Sequence, residues 1–562
     1  MSKARLVALL FLLEACHHEL RSRNPDLWLE LQTEHFTLQT DVPEPQARRM
    51  IDDLEYLRHA LIAAQFRSSQ PIPGRIAVLA LASLDEVNEF LPPDEAGLTF
   101  SDPFTGLRTC LMSGADGVFD ANVLKHEVMH ALLSGYLIND PRWVSEGLAT
   151  YVEGMDIDRA KGVAVRGPYH WQRRSWVRAH NFSDTRWSAE LIGAGGDFHI
   201  YDGFSWETMA WVFTHFLIDT RPAQFNRFLA RLARGEAMWP SFNGEFPELT
   251  EARMTAEVHE YVQDRESLLK AKVALPAFTS PPANLRRMRR AEVHAVRALL
   301  SGVETRGLDP AKTEARFNAE VALALAADPA EPVLPLLTTK VDPKAAVEAH
   351  PDSGLSWLAL YIRDPKDLAP LRKATALMPD NFVVLSVLAR EEAQAGQTSA
   401  ALAHAEQALK LGHTPLVFDA QSFALEAAGR CAEAVAAQQR AIDALSDETL
   451  PAAFERMRTH LEKLNERCGQ SGGTRRRVEV APVLISCHQP LLLGRDDLER
   501  VHAKFTIRED GSVTSVAVVG EKDTMMSERI RSFVESCQFE PMVIEGQRRP
   551  VQLDLTLQSF VH

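Results

Sequence analysis

Between Trp28 and Thr40 apolar and polar residues alternate, the period-two pattern of one or two β-strands. From Gln46 to Gln65 the spacing lengthens to that of a helix, and Arg75–Ala82 follows as a buried strand. Leu107–Met112 reads as a further strand. Next along the chain, Val123, Leu124, Val128, Ala131 and Leu132 form an apolar stripe at helical spacing, with Asp120 placed to cap it. Asn139-Asp140-Pro141 stops this helix, Asp140 serving as the cap of the next and Pro141 as its first residue. Trp143–Tyr151 then forms a second helix, antiparallel to the first across a short turn. Beyond Glu153 the pattern is helical, clearest at Ser205–Ile218 and Ala223–Arg234. There Trp206, Trp211, Phe213 and Phe216 recur at the spacing of a core face. The strands and their helices predict an α/β lobe, and the helical stretch predicts a second lobe forming the far wall of a cleft.

Pro276–Pro282 reads as a linker. From there to Cys468 the chain is rich in Ala and Leu and almost purely helical, with an internal period. Ala395-Gly396-Gln397 recurs as Ala428-Gly429-Arg430, and Ala374, Ala408 and Ala441 mark the same repeat. Gly469–Gly473 is a second linker. The tail from Val478 alternates through Phe505–Val513 with a turn at Asp510-Gly511. A helix at Asp523–Ser536, Phe539-Glu540-Pro541, a turn at Glu545-Gly546 and a last strand at Val551–Phe560 follow.

The first helix carries His126-Glu127-Val128-Met129-His130. At 3.6 residues per turn the two imidazoles lie one above the other, close enough to grip one metal ion, with Glu127 beside them. The antiparallel second helix brings Glu146 back towards the pair. Two His and one Glu leave the fourth position that a catalytic zinc needs for water. Thr150, one turn after Glu146, is a candidate to orient a ligand.

His126–His130 followed by Trp143-Val144-Ser145-Glu146-Gly147-Leu148-Ala149 resembles the gluzincin metallopeptidases, especially the peptidase-MA-like family. The resemblance implies a two-lobe metallopeptidase domain over 25–275, with Zn2+ held by His126, His130 and Glu146. It implies Glu127 as general base towards a metal-activated water, and a peptide or protein substrate. Leu107–Met112 is the candidate edge strand for that substrate. His199 and Tyr201, in the Gly-rich stretch Gly193–Gly203, are the candidate oxyanion donors. Residues 283–468 resemble tetratricopeptide repeats, which implies an α-solenoid that binds a protein partner in its concave face. Residues 478–562 resemble the C-terminal domain of TonB-type energy transducers, a small α+β module that pairs its sheet edge with a partner strand.

A chain of 562 residues is too long for one core, so the fold class expected is multidomain: α/β, then α, then α+β. The net charge of −15 argues against a nucleic-acid partner, since phosphate binding needs a basic face. Lys3 and Arg5 precede the apolar run Leu6–Leu13, the composition of a secretory signal and too short to span a bilayer. Leu13-Glu14-Ala15-Cys16 resembles a bacterial lipobox. That implies a signal segment over 1–16, a lipid anchor at Cys16 as the sole membrane contact, and a place in the cell envelope on the periplasmic side. In that compartment Cys431 with Cys468 and Cys487 with Cys537 are the disulfide pairs to test first, while Cys110 has no obvious partner. Two readings of function follow. One is an envelope-anchored zinc peptidase whose C-terminal modules recruit substrates or partners. The alternative is a catalytically inactive interaction protein acting through the repeats and the TonB-like tail.

Overall fold

A computed structural model describes residues 24–66, 72, 74–91, 96–114, 119–166, 203–236, 238–263, 271–302, 308–444 and 451–469, with isolated positions between 167 and 202. In the tail it describes 483–487, 502–508, 511–519, 530–531, 533–535, 537–540, 542–544, 547–549 and 551–556. Two compact units result, one reaching to Leu464 and one from Asn465. The chain is a mixed sheet wrapped by many helices, followed by a small strand-rich unit.

The strands of the first unit are β1 (Leu29–Gln32), β2 (Phe36–Thr40), β3 (Ile76–Leu81), β4 (Gly97–Ser101), β5 (Arg108–Ser113), β6 (Asp156–Asp158), β7 (Val163–Arg166), β8 (Ala271–Ala274) and β9 (Asn284–Arg287). Helices α1 (Glu44–Gln65), α2 (Leu84–Val87), α3 (Ala121–Tyr136) and α4 (Arg142–Glu153) lie among them. The main sheet has the order β4-β5-β3-β2-β1-β9. Strands β2, β3 and β5 run parallel, with α1 carrying the chain from β2 to β3; β4, β1 and β9 are antiparallel to their neighbours. Strand β3 shows why the sheet must be covered twice. Ile76, Val78 and Ala80 point into a core shared with Leu54 and Leu61 of α1 and Val128 and Leu132 of α3. Leu79 and Leu81, on the opposite face, pack with Trp28, Phe90 and Leu111.

That second face is closed by Val293 and Leu300 of α9. The helices after α4 are α5 (Gly203–Thr220), α6 (Pro222–Ala233), α7 (Met238–Glu245), α8 (Glu251–Gln263), α9 (Arg290–Gly302) and α10 (Pro310–Ala327). The stretch expected as a linker, Pro276–Pro282, joins strand β8 of a three-stranded sheet (β6-β7-β8) to β9 of the main sheet. It is tied down on the way: the Phe278 ring lies 5.3 Å from Tyr56 and 5.1 Å from His59 of α1. The helical region expected from 283 onwards therefore begins inside the α/β lobe. Arg297 of α9 bonds Glu320 of α10 at 2.7 Å and pairs with Glu86 of α2, all three buried. An Arg between two carboxylates leaves none of these buried charges unpaired.

Helices α11 (Leu334–Leu337), α12 (Pro343–Ala349), α13 (Gly354–Arg363), α14 (Ala369–Leu377), α15 (Phe382–Gln394), α16 (Thr398–Leu411), α17 (Pro415–Ala427), α18 (Cys431–Asp443) and α19 (Pro451–Gly469) complete the series. The pairs α15/α16 and α17/α18 are hairpins whose turns hold Gly396 at φ +73° and Gly429 at φ +71°. A left-handed turn residue explains the repeated Ala-Gly. Ala374, Ala408 and Ala441 are fully buried, and the small side chains let neighbouring helices approach closely.

In the C-terminal unit β10 (Val483–Cys487) pairs antiparallel with β13 (Cys537–Glu540). Strands β11 (His502–Ile507), β12 (Val513–Val519) and β16 (Val551–Thr556) form a second sheet in the order β12-β11-β16. Strands β14 (Met542–Ile544) and β15 (Gln547–Arg549) make a short hairpin. Of the helix expected at Asp523–Ser536, the described residues show Ile530, Arg531 and Phe533–Glu535 as helical. Cys537 is disulfide-bonded and stands opposite Cys487 in the strand register; Cys431 and Cys468 are disulfide-bonded as well, and Cys110 is free and buried. Among the described residues no helix is long and apolar enough to cross a membrane. Residue Cys16 lies outside the described residues.

Candidate metal centre

Helix α3 begins as expected, Asp120 Oδ1 accepting the backbone N–H of Asn122 at 2.8 Å and of Val123 at 3.2 Å. Its partner starts differently. Pro141 is itself the N-cap of α4 and no side chain caps that end. Asp140, expected as the cap, instead accepts the Ser145 hydroxyl at 3.2 Å, a shift of one residue that turns its carboxylate inward. Trp143 anchors α4 by stacking on Phe228 (centroids 5.9 Å apart) beside Phe213 and Phe242. At Gly147 a β-carbon would stand 2.1 Å from the Thr214 hydroxyl and 2.7 Å from the Ala210 carbonyl of α5. Only glycine lets α5 press this close behind Glu146.

With the helices so placed, His126, His130 and Glu146 converge and can hold a metal ion. His126 Nε2 lies 2.9 Å from His130 Nε2, and Glu146 Oε2 lies 3.5 and 3.4 Å from the two nitrogens. Donors around a tetrahedral ion at about 2.0–2.2 Å stand roughly 3.3 Å apart, so the triangle is the right size for such an ion. Proton positions agree with that. His126 Nδ1 bonds Glu153 Oε1 at 2.7 Å, and a carboxylate only accepts, so Nδ1 carries a hydrogen and Nε2 is the nitrogen turned towards Glu146. His130 Nδ1 donates to Ser145 Oγ at 3.0 Å, and the serine passes its own hydrogen to Asp140. The two Nε2 atoms, 2.9 Å apart, are thus left facing one position that a proton or a metal ion can take.

Charge is arranged to the same end. Burial alone would lower the pKa of both imidazoles, but the Glu146 carboxylate outweighs it for each, helped by Glu153 at His126. His126 is held well above its usual range and His130 above it. Burial would raise Glu146, yet the two histidines keep it well below the ordinary carboxylate range. In the metal-free state this is an ion-paired cluster, so a metal ion displaces protons when it binds. Asp140 is pushed up to about 6, by burial first. The buried Lys125 ammonium, lowered to about 8 by burial, bonds the carbonyls of Glu153 and Met155 and so ties α3 to the end of α4. Arg173 bridges Glu153 (3.3 Å) and Glu207 (3.0 Å).

Glu127 is nearly buried, 7% exposed, beside the two imidazoles on α3. Its Oε2 accepts the Thr99 hydroxyl at 2.6 Å. Cys110 lies behind it, its thiol pushed up to about 12 by burial and by Glu127, which keeps it protonated.

Compared with models of known protein families and with curated proteins, the chain matches none.

Among the sequence-derived candidates, then, the four on α3 and α4 are brought together, and His199 and Tyr201 lie outside the described residues. The expected edge strand needs correction. Strand β5, holding Leu111 and Met112, is second in the sheet, and β4 is the edge. Thr150 does not orient a ligand: its buried hydroxyl makes no hydrogen bond. Ser145 and Glu153 do that work, and both were missed. A signal existed for Glu153, which follows Glu146 by two helical turns and so shares its face.

Proposed function

We propose that the chain is a zinc-dependent peptidase of gluzincin-like, two-lobe build. The observation that carries this reading is the closed donor set of His126, His130 and Glu146, with both outer imidazole nitrogens already engaged and Glu127 beside it. Zinc held there would supply Lewis acidity to a water and to the scissile carbonyl. Glu127 takes a proton from the attacking water and delivers it to the leaving amine nitrogen. Strand β4, the last strand of the sheet, is placed to offer backbone N–H and C=O groups to an extended peptide. Glu153 and the Ser145–Asp140 pair hold the imidazoles in the orientation the ligands need.

The paired helices α15 to α18, with their repeated turn, support a tetratricopeptide-like array as a partner-binding surface. The antiparallel strands of the C-terminal unit support a TonB-C-like interaction module. Among the described residues Cys431, Cys468 and Cys537 are disulfide-bonded, which favours an oxidising compartment, in keeping with an envelope protein anchored through Cys16.

The test is purified full-length protein. Wild type should contain one zinc per chain and cleave casein in a chelator-sensitive way. Glu127→Gln should keep the zinc and lose at least about a hundredfold in rate, within the usual range for a general base. Glu146→Ala should lose the zinc. Wild-type protein that binds zinc and cleaves nothing would instead favour the scaffold reading.

A further inference from the structure

Strand β4 reaches Glu127 through Thr99, and the far end of the same strand is held by the helical region. The Thr99 hydroxyl has one hydrogen and three acceptors in reach: Glu127 Oε2 at 2.6 Å, the Glu127 carbonyl at 3.2 Å and Cys110 Sγ at 3.3 Å. The shortest and only charged of these is the carboxylate, so the hydrogen goes there. One carboxylate oxygen is thereby fixed, leaving the other for water. The fit is close along the strand. At Gly97 a β-carbon would lie 3.0 Å from Glu127 Oε1 and 2.8 Å from Val123 Cγ1.

Three residues beyond Thr99, about 10 Å along an extended strand, comes the β4–β5 turn. Asp102 Oδ1 accepts the N–H groups of Phe104 (2.8 Å) and Thr105 (2.9 Å). Gly106 follows at φ +70°, and a β-carbon on it would stand 2.6 Å from the ring of Phe382. Phe382 is the first residue of α15, 8% exposed. Asn381, the cap of that helix, donates its Nδ2 hydrogen to the Phe104 carbonyl at 3.0 Å. Helix α15 thus grips the turn with a ring and a hydrogen bond.

We propose that Thr99 is a positioning residue for Glu127, and that the α15 terminus, through Phe382 and Asn381, holds the hairpin that carries it. The helical region is then part of the catalytic apparatus as well as a surface for partners. This rests on the peptidase reading above.

In the full-length protein, Thr99→Val removes the hydroxyl and keeps the side-chain shape. Its kcat should fall about ten- to a hundredfold, with KM and zinc content unchanged, as expected for losing a hydrogen bond to a charged group. Thr99→Ser should restore most of the rate. Phe382→Ala should lower kcat in the same sense and speed hydrogen exchange at the amides of residues 97–113. Asn381→Asp keeps the helix cap and puts an acceptor where Asn381 donates to Phe104, so it breaks that bond and serves where Phe382→Ala does not fold. Combining Phe382→Ala, or Asn381→Asp in its place, with Thr99→Val should cost no more than Thr99→Val alone, because both act through one contact. An active wild type with an equally active Thr99→Val overturns the proposal while sparing the peptidase reading. Losses that multiply in the double variant break the link to α15. A wild type that cleaves nothing defeats the peptidase reading and this inference with it.

Discussion

Glu153 shows how much of a candidate metal site lies in residues outside the donor set itself. Its carboxylate sits 2.7 Å from His126 Nδ1 and takes part in the Arg173 bridge. Replacing it with Ala frees the imidazole to rotate and to change tautomer. Zinc affinity of Glu153→Ala should fall about ten- to a hundredfold, read by competition with a chromophoric chelator. Unchanged affinity would show that His126 is oriented by packing alone. The ligands were legible because their spacing is a property of one helix: His126 and His130 share a face wherever the helix lies. Glu153 shares the face of Glu146 in the same way, but so does Thr150, and nothing local to α4 chooses between them. The choice is made by α3, which presents His126 to one and leaves the Thr150 hydroxyl without a hydrogen bond.

At the scale of elements, Glu146 is positioned by the close approach of α4 and α5 as much as by its place on a helix. Gly147→Ala puts a methyl group where the Thr214 hydroxyl and Ala210 carbonyl already are. The helices must separate, at a cost of about 1–3 kcal/mol. The variant should melt lower than wild type and bind zinc more weakly, since Glu146 moves with its helix. A rise in zinc affinity would contradict this placement. The α3 and α4 helices were readable from periodicity, whereas β4 was not. Its five residues, Gly97–Ser101, include one buried position, and an edge strand needs no alternating apolar face to be held by its neighbour.

For the whole molecule, the decisive contacts join regions far apart in the chain. Beside the gripped hairpin lies His413, at the α16–α17 turn near Arg108 and Gly135. Burial, and then the Arg108 guanidinium, lower its pKa from 6.5 to about 4. Within that window the unfolded chain binds more protons than the folded one, so stability rises with pH across it. The contribution, up to about 3 kcal/mol, is complete above 6.5 and lost as pH falls to about 4. The Tm of wild type should therefore fall more steeply over this range than that of His413→Gln, and parallel curves would refute the assignment. Docking of α9 belongs to the same scale. The Pro-rich stretch that reads as a linker is a strap between two sheets, and the helix after it closes the face of the main sheet opposite α3.

What the sequence determined by itself is everything carried by short-range geometry: the helix that presents two imidazoles, its Asp120 cap, the returning helix with Glu146, and the Gly396 and Gly429 turns. Helical and strand periods set these within a few residues, whatever surrounds them. The tertiary structure alone decided which strand became the edge, which hydroxyl met Glu127, and which helix covered the second face of the sheet. Periodicity states that a face is buried; it does not name the partner. Thr99 and Glu127 are 28 residues apart and Gly106 and Phe382 far further, so their pairing depends on how whole elements pack.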